Sequence, residues 1–240
     1  MLDVTYATSC YEGDWKYVLS DDRLADLKKY NNYEFENRWL ILNNIKNETR
    51  PKVEERIQKA FEMGVFDRAI YAEDHVEETY NALGLQADQI GVEYKYSISE
   101  WVGITLCPSK YFLFYFSDCI QTDLVDWITP SVDLLDDFDF IKVANPLWNN
   151  CVDGARSESR WETNDFFFGD GFSDQCFLVK TSDFRDHIYN EYHPESHRYP
   201  TYTGNSFERR VFCWMRNNNH LRATYKGANY DHVNWPRCST

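Results

Sequence analysis

The chain has 240 residues, enough for one large α/β domain with a sizeable core. Its 25 basic and 39 acidic residues give a net charge of -14, which argues against nucleic acid or an anionic membrane as partner. Aromatic residues make up 17% of the chain and hydrophobic residues 43%, the composition of a compact globule with rings to spare for a cleft.

Residues 4–8 form a short β-rich run, and Trp15, Val18, Leu19, Leu24 and Leu27 then recur at helical spacing. Trp39-Leu40-Ile41-Leu42 is a continuous apolar run of the kind that parallel sheets bury on both faces, and Asn43-Asn44 ends it. Pro51 opens a helix carrying Val53, Ile57, Ala60 and Phe61, and Gly64 stops it. Residues 66–72 give a third strand that ends in Glu73-Asp74. Alternation of strand and helix predicts a parallel sheet whose carboxyl-terminal edge binds the ligand.

Helices are expected near residues 77–83 and 97–105, and residues 110–116 (KYFLFYF) are a strong strand that runs into Ser117-Asp118-Cys119. Residues 123–139 are acidic and turn-rich, and residues 145–164 are polar and irregular, which suits a lid-like connection. A strand at 176–179, a His/Tyr/Pro-rich loop at 186–204, a helix at 207–216, a strand at 221–225 and a polar tail complete the chain. The seven cysteines show no paired spacing and are read as reduced core thiols. The opening MLDVTYATSCY has no basic and apolar leader, and no run of about 18 apolar residues occurs, so a cytoplasmic chain without a membrane span is expected.

VTYATSCYEGDW (4–15), WLILNNIKN (39–47), RAIYAED (68–74) and KYFLFYFSDC (110–119), with GFSDQCFLV (171–179), NSFERRVFCWM (205–215) and ANYDH (228–232), together resemble a GT-A glycosyltransferase, nearest in layout to the family 2 type. The resemblance implies a single Rossmann-like α/β domain, with a nucleotide-sugar half (1–119) and an α+β acceptor half (120–240). It also implies a UDP- or GDP-sugar donor, a carbohydrate or other hydroxyl acceptor, and Mn2+ or Mg2+ as cofactor. Asp118 takes the last place of the D-x-D motif, with Phe116 and Ser117 in the first two, and His232 matches a tail histidine that completes the metal site. Asp231 beside it is expected to support the histidine.

In the same resemblance Glu208 is the base that deprotonates the acceptor, and Asp174 contacts sugar. Thr8, Ser9, Tyr11, Asn43, Asn44, Glu73, Asp74, Ser117 and Asp118 are the nucleotide-sugar contacts. Trp148, Trp161 and Tyr202 are expected to stack on acceptor sugars. Structural readings compete: Asp118 as a turn residue, and Asn205 with Glu208 as a helix capping box. His193 and His197 stand four apart, but Pro194 argues for a loop rather than a metal site. A binding module without catalysis and a sugar nucleotidyltransferase remain as alternatives; the latter wants a Gly-rich basic loop after the first strand, which this sequence lacks.

Overall fold

The structure, a computed structural model, describes residues 3–30 and 33–233. Its first half contains β1 (Val4–Tyr11), α1 (Trp15–Val18), α2 (Asp21–Tyr30), β2 (Asn37–Asn43), α3 (Arg50–Glu62), β3 (Arg68–Tyr71), α4 (Val76–Leu83), α5 (Tyr94–Leu106) and β4 (Tyr111–Tyr115). There follow β5 (Cys119–Gln121), α6 (Ile128–Asp137), β6 (Ile141–Trp148), α7 (Val152–Ser157), β7 (Ser159–Glu162), β8 (Phe166–Gly169), β9 (Cys176–Lys180), α8 (Thr181–Phe184), α9 (Phe207–Asn217) and β10 (Leu221–His232).

One sheet holds all ten strands, in the order β3-β2-β1-β4-β9-β6-β10-β8-β7, with β5 added to β10. β3, β2, β1 and β4 pair in parallel, as do β6 and β10. β9 is antiparallel to both β4 and β6, so β6 and β10 run in the same direction as β1 to β4. The result is the mostly parallel α/β sheet expected from the strand and helix alternation.

Period-two alternation explains why the central strands read as unbroken apolar runs. Leu40, Leu42, Tyr111, Leu113 and Tyr115 face one side, against Val53, Ile57 and Ala60 of α3. Trp39, Ile41, Phe112 and Phe114 face the other, against α5 and α9. Gly103 of α5 is needed for that packing, because a Cβ there would stand 2.4 Å from Cζ of Phe112 and 2.9 Å from Cδ1 of Ile41.

Several segments differ from expectation. The acidic stretch at 123–139 contains α6, whose apolar face buries Ile128, Val132 and Leu135. Residues 145–164 are no irregular lid: they hold the end of β6, then α7 and β7. β8, Phe166–Gly169, was not anticipated, since three successive phenylalanines give no alternation to read. The expected short strand at 221–225 continues to His232, passing a register shift between Tyr225 and Asn229. Five cysteines are free and buried, but Cys151 is disulfide-bonded, against the expectation of seven reduced thiols. Cys238 lies outside the described residues. No helix among the described residues is long and apolar enough to cross a membrane.

Glu100 stands out in the core. It is 0% exposed on α5, and neither carboxylate oxygen has a hydrogen-bond partner among the described residues. Burial, and then the charge of Asp174, hold its carboxyl well above the usual range, so it is buried as the neutral acid. Folding at neutral pH therefore takes up a proton, and stability falls as pH rises above the unfolded value, by about 1.4 kcal/mol per pH unit for one proton. Glu100→Gln is neutral throughout and should flatten the stability profile by one proton's slope in denaturant titrations between about pH 5 and 8. A variant profile parallel to that of the parent would contradict the assignment.

Candidate active site

β1 is flanked by β2 and β4, reached by connections that leave in opposite directions, which opens a crevice at the carboxyl ends of β1 and β4. Asp118 lies just beyond β4 at this edge. The bulged end of β10 turns back along β5 in antiparallel register, setting His232 opposite Cys119. Nε2 of His232 therefore lies 2.9 Å from Oδ2 of Asp118 across 114 residues of sequence. On the far side of the ring, the Gln175 amide sits 3.3 Å from Nδ1, and the hydroxyl of Tyr230 donates to Oε1 of Gln175 at 3.2 Å. With the amide donating to Nδ1, Nε2 carries the imidazole proton and donates it to Asp118. The backbone N–H of His232 donates to Oδ1 of Asn149 at 2.8 Å. Asp231 instead accepts from the Asn229 amide at 3.2 Å, so the carboxylate on His232 is Asp118.

Asp118, Cys119 and His232 bring their ligand atoms within 4.8 Å of one another. Burial raises the Cys119 thiol well above its ordinary range, so it stays protonated and is a poor ligand for a hard cation. Asp118 and His232 supply an O,N pair that suits Mn2+, leaving the other positions to oxygen donors.

A cavity of about 550 Å3 opens beside this pair. Asp118, Asp174, Gln175, Glu208, Tyr230 and His232 all line it. Glu208 is not a capping-box residue: α9 begins at Phe207 after Ser206, and no side chain caps it. The Glu208 carboxylate faces the backbone N–H of Asp174. Burial first, and then the charge of Asp118, push Asp174 up to about 7. Burial and the charge of Asp174 raise Glu208 well above the carboxylate range. The charge of Asp174 thus disfavours ionisation of Glu208, as a like charge in a desolvated site must.

The residues expected to hold the nucleotide lie along the strand ends of the first half, outside the lining of this cavity apart from Asp118. Thr8 and Ser9 are 1% and 5% exposed within β1, not in a loop after it, because the strand runs on to Tyr11. Asn43 is also buried, its amide donating to the carbonyl of Lys95 at 3.0 Å. Asn44 adopts a positive φ of 54°, and its backbone N–H donates to Glu73, which holds the ends of β2 and β3 together. Glu73 and Asp74 are exposed in a short helical turn after β3. Tyr11 is 49% exposed, its ring lying over Gly13, where a Cβ would come within 2.6 Å of it.

Trp148 and Tyr202 line the cavity, whereas Trp161 stacks on Phe168 at 5.3 Å on the outer strands. The ring nitrogens of His193 and His197 serve separate local bonds, to Glu195 N and the Tyr192 hydroxyl, as a loop reading requires.

Sequence reasoning missed Asp14, Gln175, and the trio Glu158, Arg198 and Arg222. Asp14 accepts from the Ser117 hydroxyl and, at 2.8 Å, from the backbone N–H of Tyr11, which fastens the turn after β1 to the end of β4. Burial pushes its carboxyl up to about 6, with the charge of Asp118 adding to the rise. Gln175 had a signal in the sequence, as part of the polar Ser173-Asp174-Gln175 triplet before an apolar strand.

No family model matches the chain, and no curated protein matches it. Among solved structures it is similar to the mannosyltransferase PcManGT from Pyrobaculum calidifontis in complex with GDP-Man and Mn2+, with a TM-score of 0.56 and 10% identity, over 98% of this chain and 58% of that one. The chain thus spans somewhat over half the length of that enzyme. It is also similar to a mycobacterial protein, with a TM-score of 0.52 and 11% identity, over 98% of this chain and 68% of that one. At such identities the likeness speaks for the fold. With the strand order and the crevice between β1 and β4, it establishes that the chain has the GT-A fold.

Proposed function

We propose that the chain transfers a sugar from a UDP- or GDP-sugar to a hydroxyl of a carbohydrate or other acceptor, assisted by Mn2+ or Mg2+ at Asp118 and His232. The observation that carries this reading is the convergence of Asp118, Asp174, Glu208 and His232, from four separate segments, on one cavity at the sheet edge. In this reading residues 1–119 hold the donor and residues 120–240 the acceptor. Tyr11, Asn44, Glu73 and Asp74 are the nucleotide contacts within reach, and Thr8, Ser9, Asn43 and Ser117 shape the strand ends beneath them. When bound, the cation neutralises the charge that builds on the departing diphosphate.

The protein's own groups do the rest. To hold the cation through Nε2, His232 would carry its single proton on Nδ1, and the Gln175 side chain, 3.3 Å away, would turn its amide oxygen to accept it and fix the ring. Asp174 orients the sugar hydroxyls. Glu208 removes the acceptor hydroxyl proton as that oxygen attacks the anomeric carbon and the bond to the diphosphate breaks, with inversion as in the family 2 type. Tyr202 and Trp148 stack on the sugar rings.

The test is release of nucleoside diphosphate from a panel of UDP- and GDP-sugars with Mn2+ or Mg2+, with and without sugar acceptors. Metal-dependent release from at least one donor is expected. Donor binding without release from any member would favour the alternative, a binding module on the same scaffold.

A further inference from the structure

Beyond Glu208 the cavity is lined by Glu158, Arg198 and Arg222. Arg222, on β10, has a side chain only 6% exposed. Its Nη2 donates to Oε2 of Glu158 at 3.1 Å, its guanidinium lies 5.3 Å from the Trp148 ring centroid, and its Nε has no hydrogen-bond partner among the described residues. Arg198, half exposed, donates to Oε1 of the same carboxylate at 3.1 Å. One carboxylate thus bridges two guanidiniums, leaving a surplus positive charge and an orphan donor in a partly desolvated wall. Space beside the pair is kept open by Gly171, where a Cβ would stand 3.3 Å from Nη1 of Arg222 and 3.4 Å from Oε2 of Glu158.

Asp174 feels the charges of Asp118 and His232, while Glu208 feels those of Asp174, Arg198 and Arg222, so the arginines act on the proposed base.

We propose that the acceptor carries an oxyanion, a carboxylate or a phosphate, which docks between Arg198 and Arg222 in the place that the Glu158 carboxylate now fills. The assignment rests on the transferase reading for the word acceptor, but the anion site stands on its own contacts. Two planar forks converging on one carboxylate are already the geometry that recognises such a group. Glu158, on the residue after α7, is the tethered counterion that the ligand displaces.

The experiment titrates the protein, with Mn2+ and nucleoside diphosphate present, with glucose 6-phosphate, glucuronate and glucose, by calorimetry. At least one anion should bind roughly tenfold or more tightly than glucose, and the preferred one identifies the source as phosphate or carboxylate. Arg198→Gln and Arg222→Gln should each weaken that anion roughly tenfold and leave nucleoside diphosphate affinity within about twofold. Glu158→Gln should strengthen it several-fold. Arg198 is exposed enough for its variant to fold even if the Arg222 variant does not. Absence of any preference for anions, no change in Arg198→Gln, or an equal loss of nucleoside diphosphate affinity would overturn the proposal. Arginine-dependent anion binding in a protein that turns over no donor would sustain the anion site and contradict the transferase reading; donor turnover without anion preference would do the reverse.

Discussion

Glu208→Gln should lower the rate of sugar transfer by roughly 10²–10⁴-fold while leaving donor affinity nearly unchanged. The amide keeps the shape of the side chain and its place facing the Asp174 N–H, but it cannot accept the acceptor proton. The loss should fall on kcat with a saturating acceptor, because the lost interaction belongs to the transition state. The pH profile separates a base from a merely structural residue. In the parent, burial and the charge of Asp174 hold the Glu208 carboxyl well above the usual range, so kcat/KM should rise with pH as its ionised form appears. In Glu208→Gln the residual rate should lose that rise, whereas a variant that only perturbs packing would keep it at lower amplitude. Stopped or coupled assays over the pH range with one active donor make the comparison.

Asp118→Asn is the second large effect. Asparagine can still take the hydrogen bond from Nε2 of His232, so the end of β10 should stay docked and thermal stability should change little. What would disappear is the charge proposed to hold a divalent cation. That stabilisation is several kcal/mol in metal-assisted displacements, so turnover should fall by roughly 10²–10³-fold at saturating donor. Raising Mn2+ should recover part of the loss if the remaining His232 and diphosphate ligands still hold the ion weakly. An unchanged rate would remove Asp118 from the metal site.

The sequence was most legible where burial follows a period. Trp39-Leu40-Ile41-Leu42 and the run at 110–116 became adjacent strands of the parallel half, because side chains buried on both faces leave no polar alternation. Pro51 near the start of α3 and Gly64 beyond its end, at a φ of 67°, behaved as local chemistry requires. The second half was harder to read. β8 is three phenylalanines and a glycine, and α6 hides among aspartates that face solvent. The long β10 looked like a short strand with a polar tail, since Asn229, Asp231 and His232 are polar for the sake of the site rather than exposed on a loop.

For the candidate site, Asp118, Asp174, Glu208 and His232, all singled out in the sequence, line one cavity. Their mutual placement was not legible there. The His232 to Asp118 contact depends on a bulge and an antiparallel turn back along β5, which no local spacing reveals. Thr8, Ser9 and Asn43 went the other way, from expected loop contacts to buried strand residues, because strand ends move by several residues once neighbouring strands pair. Asp14 carries no local signal in the sequence, yet its carboxylate links the turn after β1 to Ser117 at the end of β4. The arginine pair carried no motif at all, since Arg198 and Arg222 meet only through Glu158.

In the proposed transferase Asp118 and His232 would hold a cation that neutralises a nucleoside diphosphate. Electron paramagnetic resonance of Mn2+ titrated into the protein tests this directly, with UDP and then GDP added. Tight Mn2+ binding that appears only with one of the nucleotides, and is lost in Asp118→Ala and His232→Ala, is the predicted result. Mn2+ binding that is indifferent to nucleotide and to both substitutions would contradict it.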